Sequence, residues 1–157
     1  MMYNLYTMNI TTTIDQYNNN NVFFGELQQN NVIHDCNFMR LIYSTEYFSL
    51  NGIFFIIEFK NVTIEKYFSK YKCSFSISEN KKLISDIINI ETNILNKLPI
   101  SSHNLRTGIS SQLECGNIKM FSCSEPKKGN LKIILKLSGI WQNGSEHGIT
   151  YKFIPID

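Results

Sequence analysis

The sequence predicts a mainly-β fold, a small barrel carrying one amphipathic helix. Two observations lead there. Leu131, Ile133, Leu135 and Leu137 alternate with Lys132, Ile134, Lys136 and Ser138, and after a polar, glycine-bearing turn Ile149, Tyr151 and Phe153 alternate with Thr150 and Lys152. A period of two with one apolar side marks half-buried strands. Only one segment departs from this habit. Leu83, Ile87, Ile90, Ile94 and Leu98 recur at spacings of three and four, widened by Ile84, Ile88 and Leu95, so a helix is expected over about 79–98. Ser78 is its expected N-cap, Glu79 suits the first-turn dipole, Lys97 the last turn, and Pro99 ends it.

The remaining elements follow in order. Met1 to Asn21 is polar and repetitive, and reads as a flexible N-terminal arm with at most one short strand at Asn9 to Ile14. Residues 22–157 then form a single domain. Val22 to Leu27 and Phe38 to Ser44 are strand candidates, separated by turn-like Asn31 to Asn37. Asn51-Gly52 marks a turn, and Ile53 to Phe59 is so apolar that a central strand buried on both faces is expected. Tyr71 to Ile77 alternates again. Past the helix, Ser101 to Gly108 reads as a loop, Ile109 to Phe121 as one or two strands, and Ser122 to Asn130 as a polar turn before the closing hairpin. Three or more strands, one helix, then further strands is the chain order of an OB-like Greek-key barrel, and of other α+β sandwiches as well.

Composition narrows the chemistry. A chain of 157 residues is one domain's worth, and its 43% hydrophobic content can fill a core. The net charge is only +2, so a polyanion would have to meet clustered lysines rather than bulk charge. Arg40 and Arg106 are the only arginines, which disfavours a reader of guanine edges in duplex DNA. Cys36, Cys73, Cys115 and Cys123 show no metal-site spacing, and free thiols in an intracellular protein are expected. No leader pattern occupies Met1 to Gln16, and no apolar run is long enough for a membrane span. No metal site, cofactor or catalytic residue is assigned.

The segment EKYFSKYKCSF, Glu65 to Phe75, interleaves Lys66, Lys70 and Lys72 with aromatic rings. Lysines neutralise phosphates and rings stack on exposed bases. Strand phase puts Tyr71 and Phe75 toward the core, leaving Tyr67 or Phe68 to stack. Phe38, Tyr43, Tyr47 and Phe48 gather around Arg40, which could meet a phosphate or pair with Glu26 or Glu46. The loop with His103, Asn104 and Arg106 could contact a nucleic-acid backbone. Trp141, the only tryptophan, follows Gly139-Ile140 and serves either as a core plug or as a stacking platform. One enzymatic arrangement bears weighing. Asp35, Glu58 and Lys60 are the residue types of a Mg²⁺-dependent nuclease, although E-x-K is a common pattern.

With these elements placed, the chain resembles OB-fold-type single-stranded DNA-binding proteins of large eukaryotic DNA viruses and their integrated relatives. The likeness rests on VFFGEL at Val22 to Leu27, on RLIYST followed by YFSLNGIFF within Arg40 to Phe55, and on SGIW with GITYKF within Ser138 to Phe153. It implies a sequence-tolerant, non-enzymatic binder of single-stranded DNA. Such a protein supports replication or recombination in the nucleus or cytoplasm of an infected cell, alongside other replication proteins or as a homo-oligomer. The residues expected to touch nucleic acid are Arg40, Lys66, Tyr67, Lys70, Lys72, Arg106, Lys119, Lys132, Lys136 and Trp141. The alternatives are a β-rich viral structural or host-interaction protein, and third the Mg²⁺-dependent nuclease. Whether Lys66, Lys72, Lys132 and Lys136 share one continuous surface is the observation that weighs most.

Overall fold

The computed structural model describes residues 10–30, 32, 34–99, 104–122 and 124–156. Nine strands join one sheet: β1 (Val22–Gln29), β2 (Asn37–Ser44), β3 (Ser49–Asn51), β4 (Ile53–Tyr67), β5 (Lys70–Ser74), β6 (Asn104–Arg106), β7 (Asn117–Met120), β8 (Gly129–Gln142) and β9 (Glu146–Pro155). Among the described residues there are two α-helices, α1 (Lys81–Asn96) and α2 (Gly108–Glu114). The mainly-β expectation holds. The ladders describe an open sheet in the order β1-β2-β8-β4-β5-β7, with β3 on β2 and β9 between β8 and β6. All pairings are antiparallel except β6 with β9.

β8 organises the sheet. Along one edge it pairs with β4 from Leu131 to Leu137 and then with β2 from Gly139 to Gln142; along the other it pairs with β9. Its apolar alternation points Leu131, Ile133, Leu135 and Leu137 into the core, against Ile53, Phe55, Ile57 and Phe59 of β4. The tight turn into β9 is an Asx turn, in which Asn143 Oδ1 accepts from the Ser145 and Glu146 N–H groups at 2.9 and 2.7 Å.

Four expectations need correction. β4 is not buried on both faces: Phe54 and Ile56 are half-buried and Glu58 is exposed, because no second layer of described residues covers that side. β4 also runs eight residues past Phe59, through a bulge where Asn61 takes φ 52°. A bulge of this kind bends the strand, and here it turns β4 into the β5–β7 ladders. The helix begins at Lys81 with Asn80 as its N-cap, not at Glu79 with Ser78 as its N-cap. The Asn80 side chain accepts from the Lys60 N–H at 2.8 Å and donates to the Lys60 and Ser76 carbonyls, so it ties the helix entry to the bulge.

Lastly, Ile109 to Leu113 is helical where a strand was expected, so the described residues hold two α-helices and not one. The cause is Glu91, a carboxylate 1% exposed on α1 that accepts from the Ile109 and Ser110 N–H groups and from Ser110 Oγ. These are the free N–H groups of the first turn of α2, and a buried acceptor stabilises them there.

The described part of the expected arm is engaged with the sheet. Thr12 bridges β4, donating to Phe54 O at 2.8 Å and accepting from Ile56 N at 3.1 Å, and Tyr17 packs on Tyr43 and Phe55. Lys97 Nζ closes the α1 end by donating to the Asn19 and Val22 carbonyls. Residues 1–9 lie outside the described residues, as do His103 and Cys123. No described helix is long and apolar enough to cross a membrane.

Candidate nucleic-acid interface

Alternation along the strands gives the sheet a second side, opposite the core. From β2 it shows Phe38, Arg40 and Ile42; from β4, Phe54, Ile56 and Glu58; from β8, Lys132, Ile134, Lys136 and Trp141; from β9, Thr150, Lys152 and Ile154. Cross-strand neighbours share a face, so register sets the spacing of charge. Lys136 lies between Phe54 and Lys152, and Lys132 lies opposite Glu58. Lys136 Nζ sits 5.4 Å from the centre of the Phe54 ring.

Two glycines shape the β2 end of this surface. Phe38 lies over Gly139, where a side chain would overlap both the Phe38 ring and the Met39 carbonyl. Trp141 lies over Gly148, where a Cβ would stand 3.0 Å from the indole and 2.8 Å from Arg106 O. Both rings are half-buried against that backbone. Trp141 is therefore a cover on the outer side and not a plug in the core. Arg40 stands beside them, exposed, opposite Gly139. Among the described residues it makes no ion pair with Glu26 or Glu46.

Past the β4 bulge the phase that points away from the core passes to Glu65 and Tyr67 of β4, Lys70 and Lys72 of β5, and Lys119 of β7. Lys119 Nζ lies 4.7 Å from the Tyr67 ring centre and Lys70 Nζ 4.8 Å from that of Phe121, which is half exposed. Contacts of this kind hold an ammonium over a ring face without consuming its charge. Tyr71 is half-buried and Phe75 is a core residue stacked on Phe59, as their strand phase implied.

Of the ten residues singled out, eight stand on this side: Arg40, Lys132, Lys136 and Trp141 on the main sheet, and Tyr67, Lys70, Lys72 and Lys119 beyond the bulge. Lys66 does not. It pairs with Tyr71, which in turn pairs with the buried Met120, so its phase is opposite to that of Lys72, Lys132 and Lys136. Arg106 is also removed from the group. It sits in β6 rather than a loop, and its Nε and Nη2 both donate to Glu146 Oε1, which neutralises it locally. Lys152, Phe54 and Phe121 stand with the eight, outside the residues expected from the sequence. Lys152 was legible from the Thr150–Lys152 alternation, whereas Phe54 was hidden in an apolar run.

The nuclease set is not assembled. Asp35 borders a cleft with Asn37 and Gln142, at the end of β8, while Glu58 faces Lys132 near its beginning. Ten residues of strand separate those ends, roughly 30 Å. Among the described residues, no group of three acidic, histidine or cysteine side chains could hold a metal ion. Burial pushes the Cys73 thiol up to about 11, so it has little nucleophilic character at neutral pH. No protein-family model, no curated protein and no solved structure matches this chain.

Proposed function

We propose that this protein binds single-stranded DNA, without sequence preference, on the side of its sheet opposite the core. One observation carries the proposal. Three lysines, Lys70, Lys119 and Lys136, each stand over an aromatic ring on that side, and none of them is paired with a carboxylate among the described residues. Interleaved rings and unneutralised cations are what a flexible polyanion with exposed bases requires. A duplex would need deeper groove contacts than these lysines on a sheet offer. Arg40, Lys72, Lys132 and Lys152 extend the charge, with Trp141 and Phe38 half-buried beside Arg40. The OB-like barrel belongs to the same proposal. β7 comes close to β9, so β9-β8-β4-β5-β7 approaches a closed ring without a ladder across the gap. A role in viral replication or recombination, with the partners and compartment that it entails, rests on the family resemblance.

Titration of labelled oligo-dT at several salt concentrations tests this. Affinity should fall with salt, with a logarithmic slope of roughly −0.7 for each phosphate neutralised, and Trp141 emission should change on binding. No binding at low salt, or binding indifferent to salt, would reject it. One other surface favours a protein-binding role. Ile10, Tyr47, Phe48 and Phe54 line a groove of about 520 Å³ beside the arm, and Tyr47 is 85% exposed. A stable complex with a protein and no oligonucleotide affinity would support that second reading.

A further inference from the structure

The β4–β5 hairpin closes through two residues, Phe68 and Ser69, between the facing pair Tyr67 and Lys70. Phe68 takes φ 54°, in the left-handed region. At the first position of a two-residue turn, a positive φ is the province of glycine, and a bulky side chain there is an outlier. Burial would offset such strain, yet Phe68 is 86% exposed. Its ring meets the Tyr67 ring in a T-shaped contact, with centroids 4.9 Å apart and planes at 81°. The chain therefore holds a large apolar ring in water in a disfavoured conformation. An outlier with no structural return points to function.

The surroundings identify the ligand class. Lys66 and Lys70 flank the turn, and Lys72 and Lys119 lie behind it on neighbouring strands. The only carboxylate in the β4–β5–β7 ladders is Glu65, opposite Lys72. The tip is thus an aromatic projection inside a cationic collar. We infer that Phe68 is a wedge that inserts between successive bases of a single strand, with the collar lysines on the adjacent phosphates. This rests on the single-strand-binding function proposed above and assigns it a specificity determinant. Bases in a duplex are already stacked on each other, so the wedge gains contact only where bases are free.

Phe68→Gly tests the wedge, because glycine fits the turn and the fold should be kept or strengthened. Wild type, Phe68→Gly and the Lys70→Ala/Lys72→Ala double variant would be titrated with single-stranded and duplex oligonucleotides, the single strand carrying adjacent 2-aminopurines. Phe68→Gly should lose about tenfold in single-strand affinity, keep its salt slope and duplex affinity, and lose the change in 2-aminopurine emission. The lysine variant should show a shallower salt slope. If wild type binds with a salt slope and Phe68→Gly binds equally well, the wedge is refuted and the broader function stands. If wild type binds no oligonucleotide, both fall. Binding of wild type, but not Phe68→Gly, to phosphatidylserine-containing vesicles, without oligonucleotide binding, would reassign the tip to an anionic membrane and overturn the inference.

Discussion

The β2–β8–β9 end of the sheet and the β4–β5 hairpin tip use the same residue types to opposite ends. At the sheet end, Phe38 and Trp141 pack close because Gly139 and Gly148 present bare backbone beside them. At the tip, Tyr67 and Phe68 have no glycine opposite, and Phe68 stands off the chain. An aromatic ring on an outer face thus closes the structure or offers itself to a partner according to what stands across the ladder. Residue type alone does not decide it.

Four substitutions break or sharpen that contrast. The largest effect is expected from Gly139→Ala, since the new methyl group meets the Met39 carbonyl and the Phe38 ring inside a three-stranded ladder. The backbone has to move, at a cost of about 3 kcal/mol or more. Urea denaturation measures it, and an unchanged midpoint would mean that Phe38 does not rest on this glycine.

Next comes Glu91→Ala, on the core side. It leaves the Ile109 and Ser110 donors without their buried acceptor, for a loss of roughly 2–3 kcal/mol. Hydrogen exchange should show α2 opening first. Uniform protection across the chain would argue against Glu91 as the cause of that helix.

The smallest effect, and the most direct comparison, pairs Phe38→Ala with Tyr67→Ala. Phe38→Ala should destabilise by about 1–2 kcal/mol, because it uncovers apolar surface and the Gly139 backbone. Tyr67→Ala should stay within about 0.5 kcal/mol, as for an exposed site. Equal shifts in thermal midpoint would erase the distinction between a covering and an offered ring.

Much of the fold was legible. Leu131 to Leu137 and Ile149 to Phe153 announced their strands by period two, and Leu83 to Leu98 its helix by periods of three and four. Such patterns are local, and each records which side of an element meets the core. α2 was not legible, since Ile109 to Leu113 is apolar enough for either state and its helix depends on Glu91, eighteen residues away. The fourfold spacing of Ile87, Glu91 and Leu95 placed that carboxylate in the apolar stripe, which was the available signal.

The candidate site divides in the same way. Which residues carry charge or an aromatic ring, and the alternation that sends Lys132 and Lys136 away from the core, are properties of the sequence by itself. Only the tertiary structure decided that Lys66 leaves the group, that Glu146 takes Arg106, that Asp35 and Glu58 stay apart, and that Phe68 stands in solvent. The physical reason is that these outcomes depend on register and on bulges. A shift of one residue in a ladder exchanges the faces of a strand, and no local pattern fixes where that shift occurs.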